Sequence, residues 1–155
     1  MRGKRSKKRP LVPDSLYKSK VVSRMINTVM EDGKKSLALT IVYDSIKRLN
    51  EDEKERLRIF EQAVKNVMPQ QEVRSKRVGG ATYQVPMPLK HDRAEALAVR
   101  WVVDAAKSKK GKPMVDRLYE VLNDSHQNIG DAIKKRDDVH RMAEANRAFA
   151  HFARF

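Results

Sequence analysis

Apolar residues recur along this chain with two different periods. From about residue 20 they fall three and four apart. Val22, Met25, Ile26 and Val29 occupy i, i+3, i+4 and i+7, one stripe of an amphipathic helix. Gly33 follows and is expected to cap that helix at its C-terminus. A second helix is predicted from near Ser36, with Ala38, Ile41, Val42, Ser45, Ile46 and Leu49 at the same spacing. A third starts near Asp52. It places Leu57, Phe60, Ala63, Val64 and Val67 on one face, and Pro69 ends it.

Residues 70–89 lose the helical period. Tyr83, Val85, Met87 and Leu89 alternate with Thr82, Gln84, Pro86 and Pro88, which is the period of a strand. Two prolines put that strand at a sheet edge. Gly79-Gly80 is a two-residue hairpin turn signal. One β-hairpin over about 71–88 is therefore expected to project from a helical body. A lone two-stranded ribbon is marginal in water, so it needs packing or a partner.

The helical period returns at His91–Lys107, with Ala94, Leu97, Ala98, Trp101, Val102 and Ala105 on one side. Lys107–Lys112 reads as a basic loop. Pro113 stands where a helix tolerates proline, ahead of Val115, Leu118, Val121 and Leu122. Asn123–Gly130 reads as a turn. A last helix is predicted from about Asp131 to His151. At 100° per residue it groups Ala132, Val139, Met142, Ala143, Phe149 and Ala150 on one face. Arg136, His140, Arg147 and His151 form an adjacent stripe, almost free of acid apart from Glu144. Two readings stand for that stripe: an ordinary exposed face, or a helix lying along a phosphate backbone. The expected fold is mainly α: one helical domain of about six helices over 14–155, a protruding β-hairpin, and a basic N-terminal tail over 1–13.

Charge sharpens the picture. The 155 residues hold 34 Lys and Arg against 20 Asp and Glu, a formal net charge of +14. Such an imbalance is the footprint of a polyanionic partner, and nucleic acid is the commonest. Arg2, Lys4, Arg5, Lys7, Lys8 and Arg9 crowd the tail with no acidic neighbour. That run repels itself, which fits a solvated tail, a localisation patch or an arm that orders on nucleic acid. There is no Cys, which removes disulfides, Cys-based zinc sites and thiol catalysis. No apolar run is long enough to span a membrane.

Little chemistry is on offer. Gly33-Lys34-Lys35-Ser36 faintly resembles a phosphate-binding loop, but position 28 is Thr where that motif needs Gly, and Lys35 replaces its Ser or Thr. The two lysines read instead as charges that complement the carbonyls of the first helix or meet a phosphate. His91, His126, His140 and His151 lack ligand spacing. His140 near Asp137 and Glu144 is a routine helix surface. Trp101 and Phe60 lie on apolar stripes and read as core. Tyr83 either packs on a neighbouring helix or stacks on a base. Nothing points to an enzyme or a cofactor. Charge alone leaves a DNA-compacting architectural protein open. An RNA-modifying enzyme would need a cofactor pocket that no motif supplies.

Several stretches then resemble one family in order. They are Val12-Pro13-Asp14, Val21-Val22, Met30 through Ser36 (MEDGKKS) and Ile41-Val42-Tyr43. They continue with Glu72 through Pro86 (EVRSKRVGGATYQVP), Ala96 through Val103 (ALAVRWVV), Ala132 through Arg136 (AIKKR) and Val139 through Phe152 (VHRMAEANRAFAHF). Together they resemble small-subunit ribosomal protein number seven, bacterial type. The resemblance implies a helical body with a protruding β-hairpin, bound to the 3′ major domain of small-subunit ribosomal RNA in the head. It implies a primary binder that nucleates head assembly, without catalysis, in a cytoplasmic ribosome-bound state. Proteins nine, eleven and nineteen of the small subunit would be neighbours. The hairpin side would lie near the exit-site tRNA and the messenger path, and some bacterial members repress their own operon.

Carried over by residue, the resemblance implies RNA contacts at Arg2, Lys4, Arg5, Lys7, Lys8 and Arg9 in the arm, and at Lys34 and Lys35 in the Gly-Lys-Lys turn. On the hairpin it implies Arg74, Lys76 and Arg77. On the last helix it implies Lys134, Lys135, Arg136, Arg141 and Arg147. Two departures stand out. Lys18, in Tyr17-Lys18-Ser19, sits where the family usually has a small residue, and Ala153-Arg154-Phe155 replaces an aromatic-Arg-Trp finish. The expected mechanism is electrostatic. Lysines and arginines displace counterions from the RNA backbone, and the cationic clusters converge on one surface read by shape rather than by base code.

Overall fold

Among the described residues, six α-helices and one hairpin account for the architecture. They run α1 Lys20–Val29, α2 Lys35–Lys47, α3 Glu53–Val67, β1 Gln71–Val78, β2 Ala81–Pro88, α4 His91–Ser108, α5 Met114–His126 and α6 Asp131–Ala145, followed by a 3₁₀ segment at Arg147–Arg154. This computed structural model describes residues 10–154, with Gly3 and Ser6. Arg2, Lys4, Arg5, Lys7, Lys8 and Arg9 lie outside the described residues.

Local chemistry explains most boundaries. Asp52 caps α3 by accepting from the Lys54 amide at 3.2 Å. Glu53 and Glu55 then sit at the positive end of the helix dipole. Met68, before Pro69, is extended, as a residue preceding proline must nearly be. Pro113 (φ −56°) opens α5.

The predicted stripes form one core. Val22, Met25, Ile26 and Val29 of α1 are all buried. They meet Val42 and Ile46 of α2, Phe60 and Val64 of α3, Ala98 and Val102 of α4, and Leu118 and Leu122 of α5. Trp101 is half-buried against the same cluster, and α6 adds Ala132 and Ile133. The hairpin is antiparallel, from Gln71 opposite Pro88 to Val78 opposite Ala81. Gly79 (φ +57°) and Gly80 (φ +91°) make its turn, a pair of left-handed residues whose twist matches that of the strands. Only the root is deeply covered: Val85 is fully buried and Pro86 is buried beside it, while the tip is exposed.

Three expectations need correction. Gly33 does not cap α1. That helix ends at Val29 with Met30 as its cap, and Gly33 (φ +72°) lies in the turn leading to α2. The turn predicted from Asn123 begins only after His126, because Val121, Leu122 and Ser125 are still needed on the buried face of α5. The last α-helix does not reach His151. It stops at Ala145, where the Asn146 side-chain amide donates to the Met142 carbonyl at 2.8 Å and competes with the helical ladder.

The chain then tightens. A 3₁₀ helix has three residues per turn, so Phe149 and Phe152 eclipse on one side. Their rings lie nearly parallel, with centroids 6.5 Å apart. Both reach Tyr83 on the hairpin, at 5.2 Å and 5.1 Å. Tyr83 therefore packs, as one of its two readings required. The 100° wheel fails beyond Ala145, and Met142, expected on the apolar face, is half-exposed.

Candidate nucleic-acid interface

The three cations of β1 do not share one environment. Residues directly opposite across an antiparallel pair lie on the same face. Lys76 faces with Tyr83 and Arg74 with Val85, whereas Arg77 faces with Thr82. Lys76 donates from Nζ to the Phe152 carbonyl at 2.9 Å, so it ties the terminal segment to the hairpin. Arg74 donates from Nε to Glu72 at 2.6 Å. Glu72 also takes Arg93 of α4 at 3.3 Å, which fastens the hairpin root to the helical body. Arg77 is exposed and meets no acid among the described residues. Of the three it is the one aimed wholly at solvent.

The last helix is less basic than its lysines suggest. Between Asp131 and Ala145 it carries Lys134, Lys135, Arg136 and Arg141 against Asp131, Asp137, Asp138 and Glu144, a zero sum. Lys134 pairs with Asp131 at 3.3 Å, Arg141 with Asp138 at 3.6 Å and Arg147 with Glu144 at 3.3 Å. These pairs are exposed and worth little, so a phosphate can displace the carboxylate. Arg136 differs. It donates to the Asn66 carbonyl at 2.6 Å, closing the end of α3, and to Asp137 at 2.8 Å. His140 accepts the Gln70 amide on Nε2 at 3.0 Å. The stripe expected to lie along a backbone thus turns two of its members, Arg136 and His140, towards the protein. Lys135 remains exposed and without an acid partner among the described residues.

At the far end, Lys34 and Lys35 open α2. Neither lies in the last turn of α1, so the reading in which they complement its carbonyls does not hold. Lys34 makes only a loose exposed pair with Asp32 at 3.8 Å. The first turn of α2 holds no acid, which leaves cations at the positive end of a helix dipole, a mildly unfavourable arrangement that an anion relieves. Residues 10–15 form one wall of a groove whose other wall holds Ser23, Asn27, Lys35 and Leu39, so the chain towards the arm leaves the body beside Lys35.

The basic loop between α4 and α5 is mostly consumed internally. Lys109 bridges Glu120 at 3.3 Å and Asp124 at 3.4 Å, and Lys112 also meets Glu120. Those contacts hold the Glu120 carboxyl below its ordinary value, Lys112 most strongly. Lys107 does the same for Glu31.

Among the described residues, exposed cations therefore stand towards both ends of α4. Arg24 of α1 meets Glu95 near the start of α4 at 3.0 Å, and Glu31 just after α1 meets Lys107 near its end. The two helices run side by side in the same direction. The hairpin enters α4 at its first turn, and the Gly-Lys-Lys turn sits at its last. Fifteen residues of helix separate them by about 22 Å. Sequence reasoning missed Arg93 and Glu72 as the hairpin's fastening and Asp14 as the arm's. Their signal was weak, because each is a single polar residue in a segment read for its cations. Among the described residues, no cluster of three or more His, Asp or Glu side chains is placed to hold a metal ion. Nor, among the described residues, is any helix long and apolar enough to cross a membrane.

Comparison with known proteins fits this geometry. Residues 1–147 match the family of ribosomal protein S7p/S5e. The chain is 53% identical to the small ribosomal subunit protein uS7 of Fervidobacterium nodosum, over 98% of its own length and 99% of the relative's. It is 54% identical to that of Thermosipho africanus over the same shares. The protein of the same name from Pelagibacter ubique is 47% identical over 97% of both chains. The family is one of structural rather than enzymatic proteins. A net charge of +14, a helical core with a fastened β-hairpin and near full-length identity of about one half place this chain in the ribosomal protein S7p/S5e family.

Proposed function

We propose that this chain is a structural constituent of the small ribosomal subunit that binds the 3′ major domain of its RNA as a primary binder and nucleates assembly of the head. The supporting observation is the placement of its cations. Exposed charges at the hairpin (Arg77) and beside the arm (Lys34, Lys35) stand at opposite ends of α4, on a body made rigid by one core. Two patches held apart on a rigid frame, one on the hairpin and one at the far end of α4, fix the relative position of two RNA segments, which is what a nucleating protein must do. Arg2, Lys4, Arg5, Lys7, Lys8 and Arg9 add a third set of contacts. Lys134, Lys135, Arg141 and Arg147 contribute by exchanging their carboxylate partners for phosphate. Arg74, Lys76 and Arg136 act first as scaffold. The hairpin side lies near the exit-site tRNA and the messenger path, and proteins nine, eleven and nineteen are the protein neighbours. The bacterial relatives favour a bacterial, ribosome-bound setting.

A filter-binding titration tests this reading. At physiological salt, a head-domain RNA fragment should bind at least about 100-fold more tightly than duplex DNA of equal length, since shape recognition adds to the shared electrostatic term. Comparable binding to both would favour a DNA-compacting protein instead.

A further inference from the structure

The hairpin and the arm are both anchored, but the arm's anchor is an acid. Asp14 follows residues 10–13, which line the groove with it, and is only 8% exposed. Its Oδ2 accepts the amides of Leu16 at 3.0 Å and Tyr17 at 2.9 Å, and its Oδ1 accepts the Tyr43 hydroxyl of α2 at 2.5 Å. No cation pairs with it among the described residues. Three donors on one sequestered carboxylate are strong, directional bonds. The Tyr17 ring meets Tyr43 edge-on at 5.9 Å. Ser19 then donates to Glu61 of α3 at 3.1 Å. Residues 14–19 are thus stitched to two helices. By contrast Val12, just upstream, is 71% exposed, so burial of the arm itself does not hold it.

We infer that Asp14 and Tyr43 form a clasp whose role is to fix where the chain leaves the body towards the basic arm, beside Lys35, so that the arm meets an RNA backbone from a set starting point. This rests on the RNA-binding reading above. The physical gain is entropic. An arm that starts from one place and direction searches less volume, so fewer of its phosphate contacts are offset by ordering cost. Burial, and then the bond to Asp14, hold the Tyr43 phenol above its ordinary value.

The test is a thermodynamic cycle in the full chain. Tyr43→Phe removes one hydroxyl, and Asp14→Ala removes the acceptor. Each is made in the native chain and in a chain whose six arm cations are replaced by Gln (R2Q, K4Q, R5Q, K7Q, K8Q, R9Q). Affinity for a head-domain RNA fragment is measured across salt, with thermal melting as a check on the body. The clasp predicts about a three- to tenfold loss in the native chain for either variant and no further loss in the neutral-arm chain. Equal losses in both backgrounds would mean that Asp14 and Tyr43 act on the body and would overturn the proposal. No loss in either background would overturn it too. If Asp14→Ala fails to fold, Tyr43→Phe carries the cycle alone. A native chain that does not prefer the RNA fragment refutes the RNA-binding reading itself, a result distinct from a cycle that shows no coupling to the arm.

Discussion

The two ends of α4 solve the same problem with opposite chemistry. At the hairpin end, basic side chains are spent on the protein. Lys76 holds the Phe152 carbonyl, Arg74 and Arg93 converge on Glu72, and nearby Arg136 closes the end of α3. At the arm end an acid and two tyrosines do the fastening, and Lys34 and Lys35 are left to solvent. The lesson is that a cation in a basic protein is not a phosphate contact by default. What decides is whether its own chain already holds it by more than a loose, exposed ion pair.

The hairpin brace offers the largest effect with which to sharpen that contrast. Replacing both Phe149 and Phe152 by Ala removes the aromatic support of Tyr83. Each ring is half-buried, so the pair should cost about 2–3 kcal/mol of local stability. Hydrogen exchange should speed up in the β1 and β2 amides while the amides of α1 to α5 keep their protection. Unchanged exchange in the hairpin would show that the terminal segment does not support it.

A smaller effect is expected at the arm end. Lys18 has φ +52°, a left-handed conformation that a β-carbon disfavours. Lys18→Gly should raise the stability of the folded chain by about 0.5–1 kcal/mol in denaturant titration. A loss of stability would mean that the lysine side chain makes a compensating contact.

How far these features could be read from sequence follows their physical range. The core was plain, because α1 to α5 bury the residues whose 3.6 spacing marked them, with Phe60 and Met25 among the most enclosed. The hairpin was plain because Gly79-Gly80 and the alternation around Tyr83 are local signals. The end of α6 was not. One Asn side chain breaks that helix, and only contact with Tyr83, more than sixty residues away, makes the tighter 3₁₀ turn worthwhile. The candidate interface was legible in composition but not in detail. Spacing places Arg136 and Arg141 on one helix, yet only the fold shows that Arg136 reaches Asn66 while Arg141 faces water.

Free cations bind RNA, and firmly engaged cations build the frame. Salt titrations of RNA binding by Arg77→Ala and Arg136→Ala, each paired with a melting curve, test it most directly. Arg77→Ala should reduce the slope of log affinity against log salt by about one phosphate contact and leave stability unchanged. Arg136→Ala should leave the slope intact and cost about 1–3 kcal/mol of stability through the lost bond to Asn66. The reverse pattern, with Arg136 setting the slope and Arg77 the stability, would contradict the account.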